Sequence, residues 1–400
     1  MAATPMYPNL YTQLSAFLQH AQASGTLGHP PSLTNPLHPI FHPDHFSPGN
    51  IDLDLFAPVA RLVSRILATP PVRHYFFVIF FGANEPAGVQ GAQGEDLETI
   101  WSDRLVGALS PADEAALDEV LAYFSTMVRF LITDFGGQEV DGETIPDSSA
   151  LAPPRDLWPN RHISPHPGSL AGIGSTICLA HDLYDHLLLP IGGLRTPQAH
   201  LNDCFRLALL ILHELAHAAN LAVMGAQRPE DFFLGAPVAE AGFEIQARFL
   251  GASVDSLGAH ADAPMQLWEW PHNSVLSDYA GELGCQRRVC FPPQDRVMKW
   301  EMPAEFLQAV WYDGFWDWAR EVGPAAYVPE VVARSIWRAL ETRDRMPVPS
   351  SVADAFRSVK EPVVGPGGPP FPRVLRVPHF LRVWRSFVMG YGSQGSGAGA

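Results

Sequence analysis

The sequence predicts an α+β fold that is mainly α, on three observations. Residues 51–69, 110–132 and 197–224 carry apolar side chains at helical spacing. Only two short runs, "VRHYFFVIFFG" and "STICL", read as buried strands. Thirty-eight Pro and 33 Gly supply long irregular connections between these elements. A hydrophobic content of 47% over 400 residues is enough for one large or two ordinary cores.

Residues 1–50 read as an N-terminal helix followed by a Pro/His-rich arm. His20, His29, His38, His42 and His45 lie in or beside that arm. Metal ligands need close, repeated spacing on a rigid element, so these histidines are expected to be solvated. One domain is expected over 51–389, and the Gly/Ser-rich tail 390–400 is expected to be disordered.

Within that domain Leu55, Val59, Leu62, Val63, Ile66 and Leu67 mark an amphipathic helix closed by Pro70-Pro71. The aromatic run "VRHYFFVIFFG" follows as the first strand. Ser110, Pro111 and Asp113 form a helix start, and the helix is expected to reach about Ile132. "GGQEVDGETIPDSS" then reads as a surface loop without the alternating oxygen ligands of a calcium site. A short strand over Ser175 to Leu179 feeds another loop, and a long helix runs from about Pro197 to Met224, stopped by Gly225 in a left-handed conformation. "PVAEAGFEIQARFLG", residues 237–251, is the next helix. Further helices are expected near 303–321, 328–343, 350–358 and 376–389, and the aromatics of 300–318 are expected to be core.

A formal net charge of −16 repels phosphate backbones, which argues against nucleic acid as a partner. No apolar run reaches the roughly 18 residues of a membrane span, and the N-terminus lacks the basic and apolar regions of a secretory signal. A cytoplasmic protein without a membrane partner is therefore expected. The four Cys are too few for a disulfide framework, and Cys285 and Cys290 lack the spacing of a zinc knuckle. Nothing in the sequence fixes an oligomeric state.

The stretch "LALLILHELAHAANLAVMG", residues 207–225, sets four polar groups into an apolar helix. His213 and His217 are four apart, one turn along the same face, where two imidazoles can bind one zinc ion. Glu214 is rotated about 100° from His213 and is the candidate general base beside them. A catalytic zinc site needs a third protein ligand, and no histidine follows His217 at the right spacing. Glu240 is the candidate, 23 positions on, far enough for the chain to turn and return antiparallel. Glu244, one turn later, could accept the outward N–H of a ligand imidazole. Asn220 has no assigned role. A donor for a developing oxyanion must come from elsewhere, with Tyr279, Tyr312 and His272 as candidates.

This H-E-x-x-H motif with a glutamate on the following helix resembles the gluzincin branch of zinc metallopeptidases, and "AEAGFE" is similar to the context of the third ligand in aminopeptidase members. The pattern is also similar to fungal zincin-like proteins. The resemblance implies a zincin-like core with a central zinc-binding helix and a small edge sheet, Zn2+ as cofactor, and a peptide or protein as substrate. It implies His213, His217 and Glu240 as zinc ligands and Glu214 as the catalytic base, with "STICL" as the edge strand along which a peptide pairs. The spacing to Glu240 is a few residues longer than in the best-known members, and no Gly-x-Met-x-Asn motif is present. A catalytically inactive zincin-fold binding protein, or a zinc hydrolase of a non-peptide substrate, fits the same residues.

Overall fold

The computed structural model describes residues 19, 33–90, 96–102, 108–136, 141–151, 173–188, 196–225, 230–234, 239–254, 265–268, 296–329, 333–339 and 356–362. The expected N-terminal helix, His20, His29, His272, Tyr279, Cys285, Cys290, the helix expected over 376–389 and the tail 390–400 lie outside these residues.

Asp52 starts the first helix by accepting hydrogen bonds from the backbone N–H groups of Asp54 and Leu55. Helix α1, Leu53–Leu67, then buries Val59, Leu62, Val63, Ile66 and Leu67, as the spacing predicts, but Phe56 takes the buried place expected for Leu55, which is exposed near the helix start. The run expected to be a strand is instead helix α2, Pro70–Phe81. Thr69 stands extended at its N-cap, with proline in its first turn, so the Pro-Pro pair that ends α1 also begins α2. Seven of its residues, from Val72 to Phe80, are buried, and burial on nearly every face erases the periodicity that distinguishes a helix from a strand. Gly82 closes it, since a Cβ there would lie 2.4 Å from the Val78 carbonyl oxygen and 2.7 Å from that of Trp101.

Strands β1, Ala83–Gln90, and β2, Asp96–Trp101, pair antiparallel. Helix α3, Pro111–Ser125, begins at Ser110 as expected, where Ser110 and Asp113 form a reciprocal capping box, but it is shorter than expected. Past Met127 the chain becomes strand β3, Val128–Thr133, because Val128, Phe130 and Ile132 are buried at a period of two. Much of the acidic stretch read as a loop is strand β4, Gly142–Leu151. Strand β5, Ile173–Ala180, contains the expected "STICL" but leads into helix α4, His181–Leu188, rather than a loop.

These strands form a sheet in the order β3-β5-β4, with β5 parallel to β3 and antiparallel to β4. "STICL" is thus in the central strand, not at an edge, because β3 and β4 occupy both of its sides. The outer side of β3 meets the arm, where Ser47 N–H donates to the Phe130 carbonyl at 3.2 Å. Among the described residues no strand pairs with the outer side of β4.

Helix α5, Pro197–Met224, packs against β4 and β5 of this sheet. Thr196 caps it by accepting from Ala199 N–H at 3.1 Å, and Gly225 ends it at φ 76°, ψ 171°, outside the left-handed helical region expected for that stop. It is the one described helix long and apolar enough to cross a membrane, and most of it is buried inside the protein. Strand β6, Phe232–Phe233, adds to β2 in parallel. Helix α6, Ala241–Leu250, starts four residues later than expected and ends at Gly251 in the left-handed region.

The chain then builds strands β7, Ser253–Val254, β8, Gln266–Trp268, and β9, Arg296–Glu301. Helices α7, Ala304–Ala309, and α8, Asp313–Val322, take the place of one helix expected near 303–321. Their aromatics are core as expected: Phe306 packs edge-on to Phe315 at 5.8 Å and to Phe205 of α5 at 6.5 Å. Strands β10, Ala333–Ala339, and β11, Phe356–Pro362, overlap the spans expected as helices near 328–343 and 350–358. There β10 pairs with both β9 and β11, and this ladder outweighs local helical preference. The fold is thus α+β, with helix the larger part of the described residues.

The arm is not wholly solvated. Leu33, Ile40, Phe41 and Phe46 join the same hydrophobic cluster as α1, α2 and α5. His38 and His42 cap two short 3-10 turns by accepting from the N–H groups of Ile40 and Asp44. The Asp313 carboxylate ties the arm to the rest, accepting from Thr34 N–H at 3.0 Å and from the Arg65 guanidinium of α1.

Candidate metal centre

Helix α5 presents His213 and His217 one turn apart, with their Nε2 atoms 3.1 Å from each other. The start of α6 brings in Glu240, whose Oε1 lies 3.4 Å from His213 Nε2 and 3.0 Å from His217 Nε2. Zinc–ligand bonds of about 2.0–2.1 Å in a tetrahedral site place neighbouring ligand atoms about 3.3 Å apart. The three observed separations match that spacing, and two imidazoles with one carboxylate are a donor set suited to zinc. The residues therefore fit the ion. Among the described residues this is the one group of three or more His, Cys, Asp or Glu side chains close enough to share a metal.

Glu240 reaches this position as a cap, not from within a helix as expected. Its backbone is extended, and its Oε2 accepts from Phe243 N–H at 2.5 Å. One oxygen is thereby committed to α6, which leaves Oε1 to face the imidazoles. The histidines are mostly buried but reach solvent, with side-chain exposures of 15% for His213 and 20% for His217, whereas Glu240 is 3% exposed.

Close packing holds His213. A Cβ on Gly242 would lie 2.3 Å from its ring, so only glycine lets α6 approach this far. The Phe243 ring meets the same imidazole edge-on at 4.7 Å. Tyr75 of α2 supports α6 from behind, its hydroxyl donating to the Ala241 carbonyl at 3.2 Å.

Glu214 is buried and tied to the sheet. The Thr144 hydroxyl of β4 lies 2.7 Å from Glu214 Oε2 and 3.0 Å from the Glu214 carbonyl oxygen. Burial pushes the Glu214 carboxyl up to about 7, with Glu240 and Glu143 adding to the rise and with His217 and the Thr144 bond opposing it. Burial and the neighbouring His217 charge hold His213 well below the ordinary imidazole range, which keeps it neutral with a lone pair to offer. Burial also disfavours charge on His217, but Glu230 and Glu240 outweigh it and raise the ring well above its usual value. The same negative surroundings that favour a proton between His217 and Glu240 favour a metal cation there. Burial raises Glu240 as well, against the opposing pull of His217.

The structure thus brings together His213, Glu214, His217 and Glu240. Glu244, the expected partner of a ligand imidazole, forms an ion pair with Arg248 at 2.8 Å. His217 Nδ1 instead donates to Glu230, at 2.5 Å. Tyr312, one of the three suggested oxyanion donors, stands at the N-cap of α8. Asn220 donates from Nδ2 to the Ala216 carbonyl at 3.1 Å, a bond within its own helix.

Three contributors were missed from sequence. Glu230 is one of two adjacent acids in "QRPEDFF" with no helical spacing to the motif, Thr144 lies in the stretch read as a loop, and Gly242 shows its importance only against the His213 ring. The glycine between two acids in "AEAGFE" was the one local signal available. No protein-family model, curated protein or solved structure matches the chain.

Proposed function

We propose that the protein is a zinc-dependent metallopeptidase of the gluzincin type, built on a zincin-like core. The observation that carries this reading is the convergence of His213 Nε2, His217 Nε2 and Glu240 Oε1 to within 3.4 Å of one another, with the Glu214 carboxylate on the same helix. A second feature supports it. Strand β4, antiparallel to its neighbour and tied through Thr144 to the motif helix, has no described strand on its outer side, so a peptide can add there by backbone pairing.

Zinc held by these three side chains would act as a Lewis acid on a substrate carbonyl and make water a stronger acid. Glu214 is the group for the proton transfers in this reading. Thr144 holds its Oε2, and its Oε1 would take a proton from the attacking water and give it to the amide nitrogen as the C–N bond breaks. Neutral His213 offers Nε2, and His217 is oriented through its other nitrogen by Glu230.

The test compares wild type and Glu214→Gln at equal zinc content against a mixed peptide library. Wild type should cleave and Glu214→Gln should not, while keeping its zinc. A zinc-loaded wild type that cleaves no peptide would overturn the peptidase reading and favour a binding protein or a hydrolase of another bond.

A further inference from the structure

Glu230 belongs to neither helix of the metal centre, yet each of its carboxylate oxygens holds one of them. Oε1 accepts from His217 Nδ1 on α5 at 2.5 Å, and Oε2 accepts from the Ala241 N–H at the first position of α6 at 2.9 Å. The chain that follows is anchored. Asp231 is buried and accepts from Asn84 Nδ2 of β1 at 2.8 Å. Phe232 and Phe233 pair with β2, and Phe233 stacks on Tyr75 at 4.6 Å under the Arg248 guanidinium. Leu234, a non-glycine residue at φ 44°, donates its N–H to the Ile100 carbonyl at 2.8 Å. Such a backbone is strained and persists only where its surroundings hold it.

We propose that Glu230 is the positioning residue that sets the metal affinity of this site, by fixing the His217 tautomer and the start of α6 with a single carboxylate. The inference rests on the metal-centre reading above. An imidazole whose Nδ1–H is committed to a carboxylate has only Nε2 to offer a metal, which takes the place of the proton shared there with Glu240, so the Oε1 bond sets which nitrogen ligates. The Oε2 bond acts on the other helix. It holds the peptide N–H directly after Glu240, while Glu240 caps Phe243 with its own second oxygen, so the third ligand is held from both sides.

Glutamine cannot reproduce this arrangement. Both partners of Glu230 are N–H donors, and a glutamine offers one acceptor oxygen and one donor NH2, so either one contact becomes donor against donor or His217 moves its proton to Nε2, the nitrogen needed for the metal. Glu244 is no substitute, being paired with Arg248.

The test uses the full chain, stripped of metal and titrated with zinc against a competing chelator. Glu230→Gln should bind zinc about 10–100-fold more weakly than wild type, and Glu244→Gln should stay within about twofold of it. Proton NMR of the metal-free chain supplies a readout that a purely structural role would not move. Wild type should show a protected His217 Nδ1–H resonance, and Glu230→Gln should lose it or exchange it rapidly. Glu230→Asp, which keeps the charge but is too short to reach both donors, replaces Glu230→Gln if that variant does not fold, and should also bind zinc more weakly. A folded Glu230 variant with wild-type zinc affinity overturns the inference alone. A wild-type chain that binds no zinc overturns the metal-centre reading and the inference with it.

Discussion

Replacing Gly242 with alanine puts a methyl carbon 2.3 Å from the His213 ring, where ordinary contact begins at 3.4 Å. Either the ring or the start of α6 must retreat by about 1.1 Å, more than five times the roughly 0.2 Å tolerance of a zinc–nitrogen bond. The ring has little freedom to comply, since Phe243 meets it edge-on at 4.7 Å and His217 is 4.8 Å away between ring centroids. Moving α6 instead carries Glu240 away, because that residue caps the helix. Both routes remove a ligand. Overpacking should cost the metal-free protein about 1–3 kcal/mol, and zinc affinity should fall by more than the roughly 100-fold attainable by disturbing a supporting residue. Thermal unfolding of metal-free Gly242→Ala and its zinc titration against a chelator measure the two effects separately. A variant with wild-type stability and zinc affinity within twofold would refute the reasoning, because the helix would then not lie on the ring.

Thr144→Val keeps the shape of the side chain but leaves buried Glu214 Oε2 without its donor. Losing a hydrogen bond to a buried carboxylate costs about 1–3 kcal/mol, so kcat/KM on any cleaved peptide should fall roughly 10–100-fold with zinc content unchanged; Thr144→Ser should recover most of it. Asp313 links the arm to α1 and α8, and its bonds from Thr34 and Arg65 outweigh the effect of burial and hold its carboxyl below the usual range. Its stabilisation is therefore complete above the unfolded value of about 3.9 and disappears as pH falls through the lower folded value. Asp313→Asn should destabilise the protein at pH 7 by on the order of 1 kcal/mol after solvent screening, a difference that shrinks at low pH. Denaturant melts at pH 7 and pH 3 check this, and an equal difference at both would contradict it.

Particular residues explain what the sequence did and did not disclose. Helix α1 was legible because one face is buried and the other wet, and α2 was not, because burial from Val72 to Phe80 leaves no wet face. Strand β4 hid behind Gly142, Pro146 and two acids, residues that signal a loop until β5 pairs with them. The proximity of His213, Glu214 and His217 was legible because helix geometry alone brings them to one turn. Glu240 was nameable as a nearby acid, but its role as a helix cap depends on where α6 begins. Glu230 and Gly242 owe their places to tertiary contacts, with His217 and with the His213 ring, that no local spacing encodes.

In the proposed site two imidazoles and one carboxylate hold a zinc ion. Zinc content per chain, measured by elemental analysis after equilibration with a weak competing chelator, tests it most directly in wild type, His213→Ala and Glu240→Ala. The account predicts about one zinc per chain in wild type and loss of it in both variants. A wild type without zinc, or a folded Glu240→Ala that keeps its zinc unchanged, would contradict it.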